Sequence, residues 1–195
     1  MTDLDPSALS SLVHDLTELL DRAGDHITSE SEAITECFTS ILGLPGLDTA
    51  HVDPIPGHNP AGAAIGWLYH DGDVRVTRGA LPATFTQAPH NHGGWNIFGV
   101  YRGAVKYRSY RRDDDGLRKY FADLSPAEDR ILIDGDVTIL PEPPHDIHAV
   151  TGLAEETITL LVARGAFAPI REHYLIDERC YVLKGGDAGD HFLWS

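Results

Sequence analysis

Pro89-His90-Asn91-His92-Gly93-Gly94-Trp95-Asn96-Ile97-Phe98-Gly99-Val100-Tyr101-Arg102-Gly103 is the stretch on which the reading of this chain turns. Two histidines at i and i+2 on an extended backbone point to the same face. His90 and His92 can therefore reach one metal ion without a bend in the chain. The small Gly93-Gly94 pair leaves space beside such an ion for a ligand or solvent. Two solvated loop histidines are the plainer account of an isolated His-x-His. Here the pair runs directly into a hydrophobic strand that ends at Gly103, and this favours the metal.

A second segment follows the same grammar: Gly135-Asp136-Val137-Thr138-Ile139-Leu140-Pro141-Glu142-Pro143-Pro144-His145-Asp146-Ile147-His148-Ala149-Val150. Gly135-Asp136 opens a strand, the Pro-rich turn reverses the chain, and a return strand begins near His148. A third histidine there can face the first two. His145 and His148 compete for this role. His148 is preferred because it sits in the alternating run Ile147–Val150, where a strand fixes its direction. His145 falls in the turn, as an outer group.

Around these segments, Gly, Pro and Asp-Gly punctuation recurs between short runs rich in Val, Ile, Tyr, Phe and Thr. The pattern predicts strands at 65–70, 73–78, 83–87, 95–101, 104–111, 117–122, 130–133, 136–140, 146–151 and 157–164, with hairpin turns at Asp71-Gly72 and Asp115-Gly116. Many short strands without long helices between them indicate an all-β antiparallel barrel or jelly roll. Cys180–Leu183 is a further strand candidate, and Gly185-Gly186-Asp187 reads as a loop. Ahead of the strands, Leu9, Leu12, Val13, Leu16, Leu19 and Leu20 form one stripe of a 3.6-residue period, predicting a helix over 5–22 started by Asp5-Pro6. Ile34, Cys37, Phe38, Ile41 and Leu42 predict a second helix over 31–42, stopped by Gly43 and Pro45. Cys37 lies in that stripe as a small hydrophobe, and nothing near Cys180 marks it as a thiolate.

The 195 residues are read as a single domain, with a helical segment at 5–43 and a barrel at 50–183. The apolar fraction of 42% and charged fraction of 23% are globular values. Lys+Arg 15 against Asp+Glu 30 gives a net charge of −15, which speaks against nucleic acid or an anionic membrane as partner. No run approaches the roughly 20 apolar residues of a membrane span. Two distant cysteines and an N-terminus without a basic, apolar leader point to the cytoplasm.

His90-Asn91-His92 followed by Gly103, and then Gly135-Asp136, Pro141 and His148, resemble the two conserved segments of the cupin superfamily. Within it they resemble the three-histidine thiol dioxygenases, which act on cysteine, cysteamine, mercaptopropionate or N-terminal cysteine. The resemblance implies a cupin double-stranded β-helix, a jelly-roll barrel behind two N-terminal α-helices. It further implies a metal held by His90, His92 and His148. Most cupins add a glutamate four or five residues after the second histidine; Asn96 and Ile97 stand there and supply no carboxylate, as in the thiol dioxygenases. The chain departs from the cysteine dioxygenases in having Leu160-Leu161-Val162-Ala163-Arg164 where they carry Ser-x-His-x-Tyr. It also lacks, near Ile97, the cysteine that some of them cross-link to tyrosine.

Three neutral imidazoles suit Fe(II) and also Zn, Ni or Cu. The expected partners are a small-molecule substrate and O2, and the expected reaction inserts both oxygen atoms into a thiol to give a sulfinate. Arg75, Arg78, Arg102 and Arg164 are candidates to hold a substrate carboxylate, while Trp95, Tyr101 and Tyr107 read as packing residues. Two other readings compete: a three-histidine cupin that cleaves a β-diketone or similar compound, and a non-catalytic cupin that binds a small molecule. A closed ligand set with His145 as fourth member would favour the latter.

Overall fold

The computed structural model describes residues 3–24, 26–55, 63–71, 73–83, 85–164 and 170–185. Asp5 opens α1 (Pro6–Ala23): its carboxylate accepts from the main-chain N–H groups of Ser7 and Ala8 at 2.9 and 3.4 Å. These are donors that a helix start leaves without partners. A short 3-10 turn (Ile27–Glu30) leads into α2 (Ser31–Leu42). The predicted leucine stripe is the buried face of α1, through Leu9, Val13, Leu16 and Leu20, and α2 buries Ile34, Phe38, Ile41 and Leu42.

The strands are β1 (Asp53–Pro54), β2 (Ala64–His70), β3 (Val74–Pro82), β4 (Thr86–His90), β5 (Asn96–Arg102), β6 (Ala104–Arg112), β7 (Leu124–Ile133), β8 (Val137–Leu140), β9 (His148–Gly152), β10 (Glu156–Arg164), β11 (Ile170–Leu175) and β12 (Cys180–Gly185). They form two antiparallel sheets, ordered β1-β2-β3-β10-β5-β8 and β12-β11-β4-β9-β6-β7. The eight strands β3 to β10 make a jelly roll: β3, β10, β5 and β8 in one sheet face β4, β9, β6 and β7 in the other. The remaining strands extend the two sheets.

Alternation along each strand sorts the side chains onto two faces. Leu81, Phe98, Val100, Val105, Tyr107, Leu140 and Val150 fill the space between the sheets. Val74, Val76, Ile97, Leu160 and Val162, on the opposite face of the first sheet, pack under the two helices. Gly103 turns β5 into β6 at φ +97, a conformation that favours glycine. A side chain there would also meet the Thr157 hydroxyl and the Glu156 carbonyl at 2.8 and 2.9 Å.

Several strand boundaries differ from the sequence expectation. Residues 117–122 are not a strand but part of a connection between β6 and β7. Asp114 organises it by accepting from the N–H groups of Gly116 and Asp123, so Asp115-Gly116 is no tight hairpin. The strand expected at 130–133 is the last part of the ten-residue β7, and the one expected at 83–87 begins only at Thr86. β11 has no counterpart in the expectation. Gly72 of the proposed first turn, and residues 186 and 187, lie outside the described residues.

Candidate metal centre

The second sheet places β11, β4 and β9 side by side, and its register sets His173 opposite His90 and His90 opposite His148. Directly paired residues on one face have neighbouring side chains, so a row of imidazoles crosses three strands by register alone. His92, two residues beyond His90, joins the same cluster. The ring centroids of His90, His92 and His148 are 4.8, 4.6 and 4.9 Å apart in pairs. All three residues are buried, and one ligand atom from each lies within 4.8 Å of the others. This is the trio that the two sequence segments predicted.

The details bear on what the trio can hold. Nδ1 of His90 lies 3.0 Å from the Ala88 carbonyl oxygen, so it is the nitrogen that carries hydrogen, and Nε2 is left as a lone-pair donor. Nε2 of His90 stands 3.0 Å from Nε2 of His92. Burial and the nearby His148 and Arg171 hold His90 well below the ordinary histidine range, and burial brings His148 down to about 4. The rings of His90 and His148 are therefore neutral, and lone pairs that converge in a buried cluster are satisfied by a cation. Nδ1 of His148 is buried without a well-formed hydrogen bond; the main chain of Asp146 is the group that favours its protonated form. A buried, all-nitrogen donor set of this kind fits a divalent transition metal.

Residues around the trio fix it in place. Asp146, 1% exposed, accepts through Oδ2 from the main-chain N–H groups of His92 and Gly93 at 3.0 and 2.8 Å. Burial pushes its carboxyl up, against the opposing pull of those N–H groups. Gly93 adopts φ +78, which frees the turn after His92. Asn91 exchanges two bonds with Glu172 of β11: its N–H donates to the Glu172 carbonyl at 3.2 Å, and its Oδ1 accepts from the Glu172 N–H at 3.0 Å. Tyr107 stacks on the His148 ring at 5.9 Å and Phe98 on Tyr107 at 6.3 Å, giving the trio an aromatic floor. Asn96, at the first of the two positions where a glutamate was sought, is fully buried, with Oδ1 unpartnered among the described residues.

The outer candidates fare differently. His145 is exposed in the Pro-rich turn, and its neighbour Asp146 makes the contact to the His92 segment instead. Arg164 pairs with Asp21 and Asp73, and Arg102 with Asp48 and Glu156. Arg78 donates to the main-chain oxygens of Leu47 and Asp48, clamping the segment after α2 to the sheet. These three arginines are structural. Arg75 alternates with Thr77, Gly79 and Leu81 on the inner face of β3; its guanidinium lies 5.5 Å over the Trp67 ring. Trp95 and Tyr101 pack with the helices, as expected of packing residues.

Sequence reasoning missed Arg171. It sits two residues before His173 on β11 and so shares its face, and its positive charge acts on both His90 and His148. The half-buried His173 stacks on His90 at 5.6 Å. The alternation of Arg171 and His173 toward one face was the available signal.

No family model matches the chain, and no curated protein matches it. Solved structures do match, and they include cupin superfamily proteins. KdgF from Halomonas sp. is 17% identical, covering 61% of this chain and 91% of its own at a TM-score of 0.44. An RmlC-like cupin from Shewanella frigidimarina is 14% identical over 61% and 86%, with a TM-score of 0.42. A double-stranded β-helix protein from Klebsiella pneumoniae is 18% identical over 63% and 90%, with a TM-score of 0.43. No described helix is long and apolar enough to cross a membrane.

Proposed function

We propose that the protein holds Fe(II) between His90, His92 and His148 and uses O2 to oxidise a small thiol to a sulfinic acid. One observation carries the reading: a buried trio of imidazoles without a carboxylate among them, with the cation of Arg171 acting on His90 and His148. A metal ion in such a trio supplies Lewis acidity and, as iron, electrons for O2. Neutral ligands leave its full 2+ charge in place, so the chain favours an anionic donor atom such as a thiolate. Arg171 is suited to pair bidentately with a carboxylate on the same substrate. The reaction balances as RSH + O2 → RSO2H: the S–H and O–O bonds are broken, two S–O bonds form, and sulfur gives up the four electrons that reduce O2. The proton remains with the sulfinic acid. The free cysteines Cys37 and Cys180 suit a reducing compartment such as the cytoplasm.

The aromatic floor of Tyr107, stacked on His148, and Phe98 behind it favours a second reading, in which the anion is the enolate of a β-diketone that is cleaved. Oxygen uptake by the iron-loaded protein separates the two. Uptake with mercaptopropionate or cysteine, greater than with cysteamine and matched by sulfinate, supports the thiol reading and the role of Arg171. Uptake with acetylacetone alone selects the second reading. No uptake with any of the four, at full iron loading, rejects both and favours a binding module.

A further inference from the structure

Asp146 joins the two segments that carry the histidine trio. It lies two residues before His148, and its side chain reaches across to the segment just after His90. There Oδ2 takes both the His92 and Gly93 N–H groups, at 3.0 and 2.8 Å. Neither main-chain donor belongs to a strand ladder, since β4 ends at His90 and β5 begins at Asn96. Without Asp146 the buried His92 donor and the Gly93 donor beside it would lose the acceptor that orients the peptide on either side of the His92 Cα. Ile147, the next residue, is buried against Tyr110 and Tyr174, and its carbonyl accepts from the Tyr110 N–H at 3.0 Å, so the carboxylate stands on a fixed base. On its other side the same His-x-His segment is tied to β11 through Asn91 and Glu172.

We infer that Asp146 is a positioning residue that sets the direction of the His92 imidazole and thereby the affinity of the trio for its metal. The inference rests on the metal reading above. Its geometry makes a distinction between shape and charge. Asp146→Asn keeps a carboxamide oxygen that can accept from both N–H groups, whereas Asp146→Glu keeps the charge but displaces it by a methylene. Asp146→Ala removes both.

The test strips metal from the full chain and measures Zn(II) affinity by chelator competition, with Co(II) visible absorption as a probe of ligand geometry and melting of the metal-free forms alongside. Groups that orient metal ligands typically govern affinity by roughly 10–100-fold. The expected result is a loss of that order in Asp146→Ala and Asp146→Glu, with altered Co(II) bands, and wild-type affinity in Asp146→Asn. Unchanged affinity in Asp146→Ala and Asp146→Glu overturns the inference, even where the metal-free protein melts lower, because that pattern is purely structural. A loss in Asp146→Asn equal to that in Asp146→Glu also overturns it, by assigning the effect to charge. Should Asp146→Ala fail to fold, the Asn and Glu variants decide the matter between them. A wild-type protein that binds neither Zn(II) nor Co(II) contradicts the metal reading itself, a failure distinguishable from that of Asp146.

Discussion

The join between helices and barrel passes through Gly99, and replacing it tests how rigid that join is. A Cβ at this position would meet Leu42 Cδ1 and Phe38 Cε1, both at 2.8 Å, and the Asp136 carbonyl oxygen at 3.3 Å. Real Cβ contacts do not occur at such separations, so something must shift. Phe38 and Leu42 are themselves buried in the cluster that includes Leu16, Ile34 and Ile97, and their ends have little room to swing away. Overpacking of this kind is typically destabilising by about 1–3 kcal/mol. For a chain of this size each kcal/mol moves the melting temperature by roughly 2–4 °C, so Gly99→Ala should melt about 2–12 °C below wild type. In a Phe38→Leu background the ring edge is gone, and the same substitution should be less damaging. Calorimetric melting of the four proteins of this cycle measures the coupling directly. Gly99→Ala melting with the wild type, or an equal effect in both backgrounds, would refute the close seating of α2 on β5.

Leu16→Asp, which buries a charge in the same cluster, should lower the melting temperature strongly; an unchanged temperature would mean that α1 is not docked. Partial burial acts to raise the Asp114 carboxyl, yet the Arg112 guanidinium and the N–H groups of Asp123 and Gly116 hold it down to about 2. Its contribution to stability is therefore present above the ordinary aspartate range and lost as pH falls from about 4 toward 2. Asp114→Asn should be less stable than wild type at pH 7, and acid titration of stability should bring the two together; a gap that stays constant down to pH 2 would contradict this. Arg171→Met should weaken turnover of a carboxylate-bearing thiol mainly through KM, with metal content unchanged, and equal effects on cysteamine would argue against carboxylate pairing.

The sequence made the trio legible because its signals are local: i and i+2 on a strand for His90 and His92, and an alternating run for His148. The helices were equally plain, since their apolar stripes have no other explanation than a buried face. What escaped notice has identifiable physical causes. β11 reads Ile170-Arg171-Glu172-His173-Tyr174-Leu175, and the face that would ordinarily announce a strand by apolar residues is here polar, because it looks toward the histidines. A strand whose inner side carries chemistry is camouflaged as a loop. β7 is legible only over its last part, 130–133, because its earlier part, 124–129, lies at a sheet edge with no buried side chain to mark a face. Asp146 reads only as the first residue of the strand expected at 146–151, where nothing in the sequence marks its carboxylate for a role. Only the fold shows that it reaches the His92 peptide, 54 residues away in sequence.

Metal content tests the central claim most directly. Protein produced with iron supplied should carry one metal ion per chain by elemental analysis, and His148→Ala should carry none while its circular dichroism stays that of the wild type. His14→Ala alters an exposed residue of α1 paired with Glu18, and it should retain the full complement. Full metal occupancy in folded His148→Ala would contradict the account, because the ion would then be held somewhere other than between His90, His92 and His148.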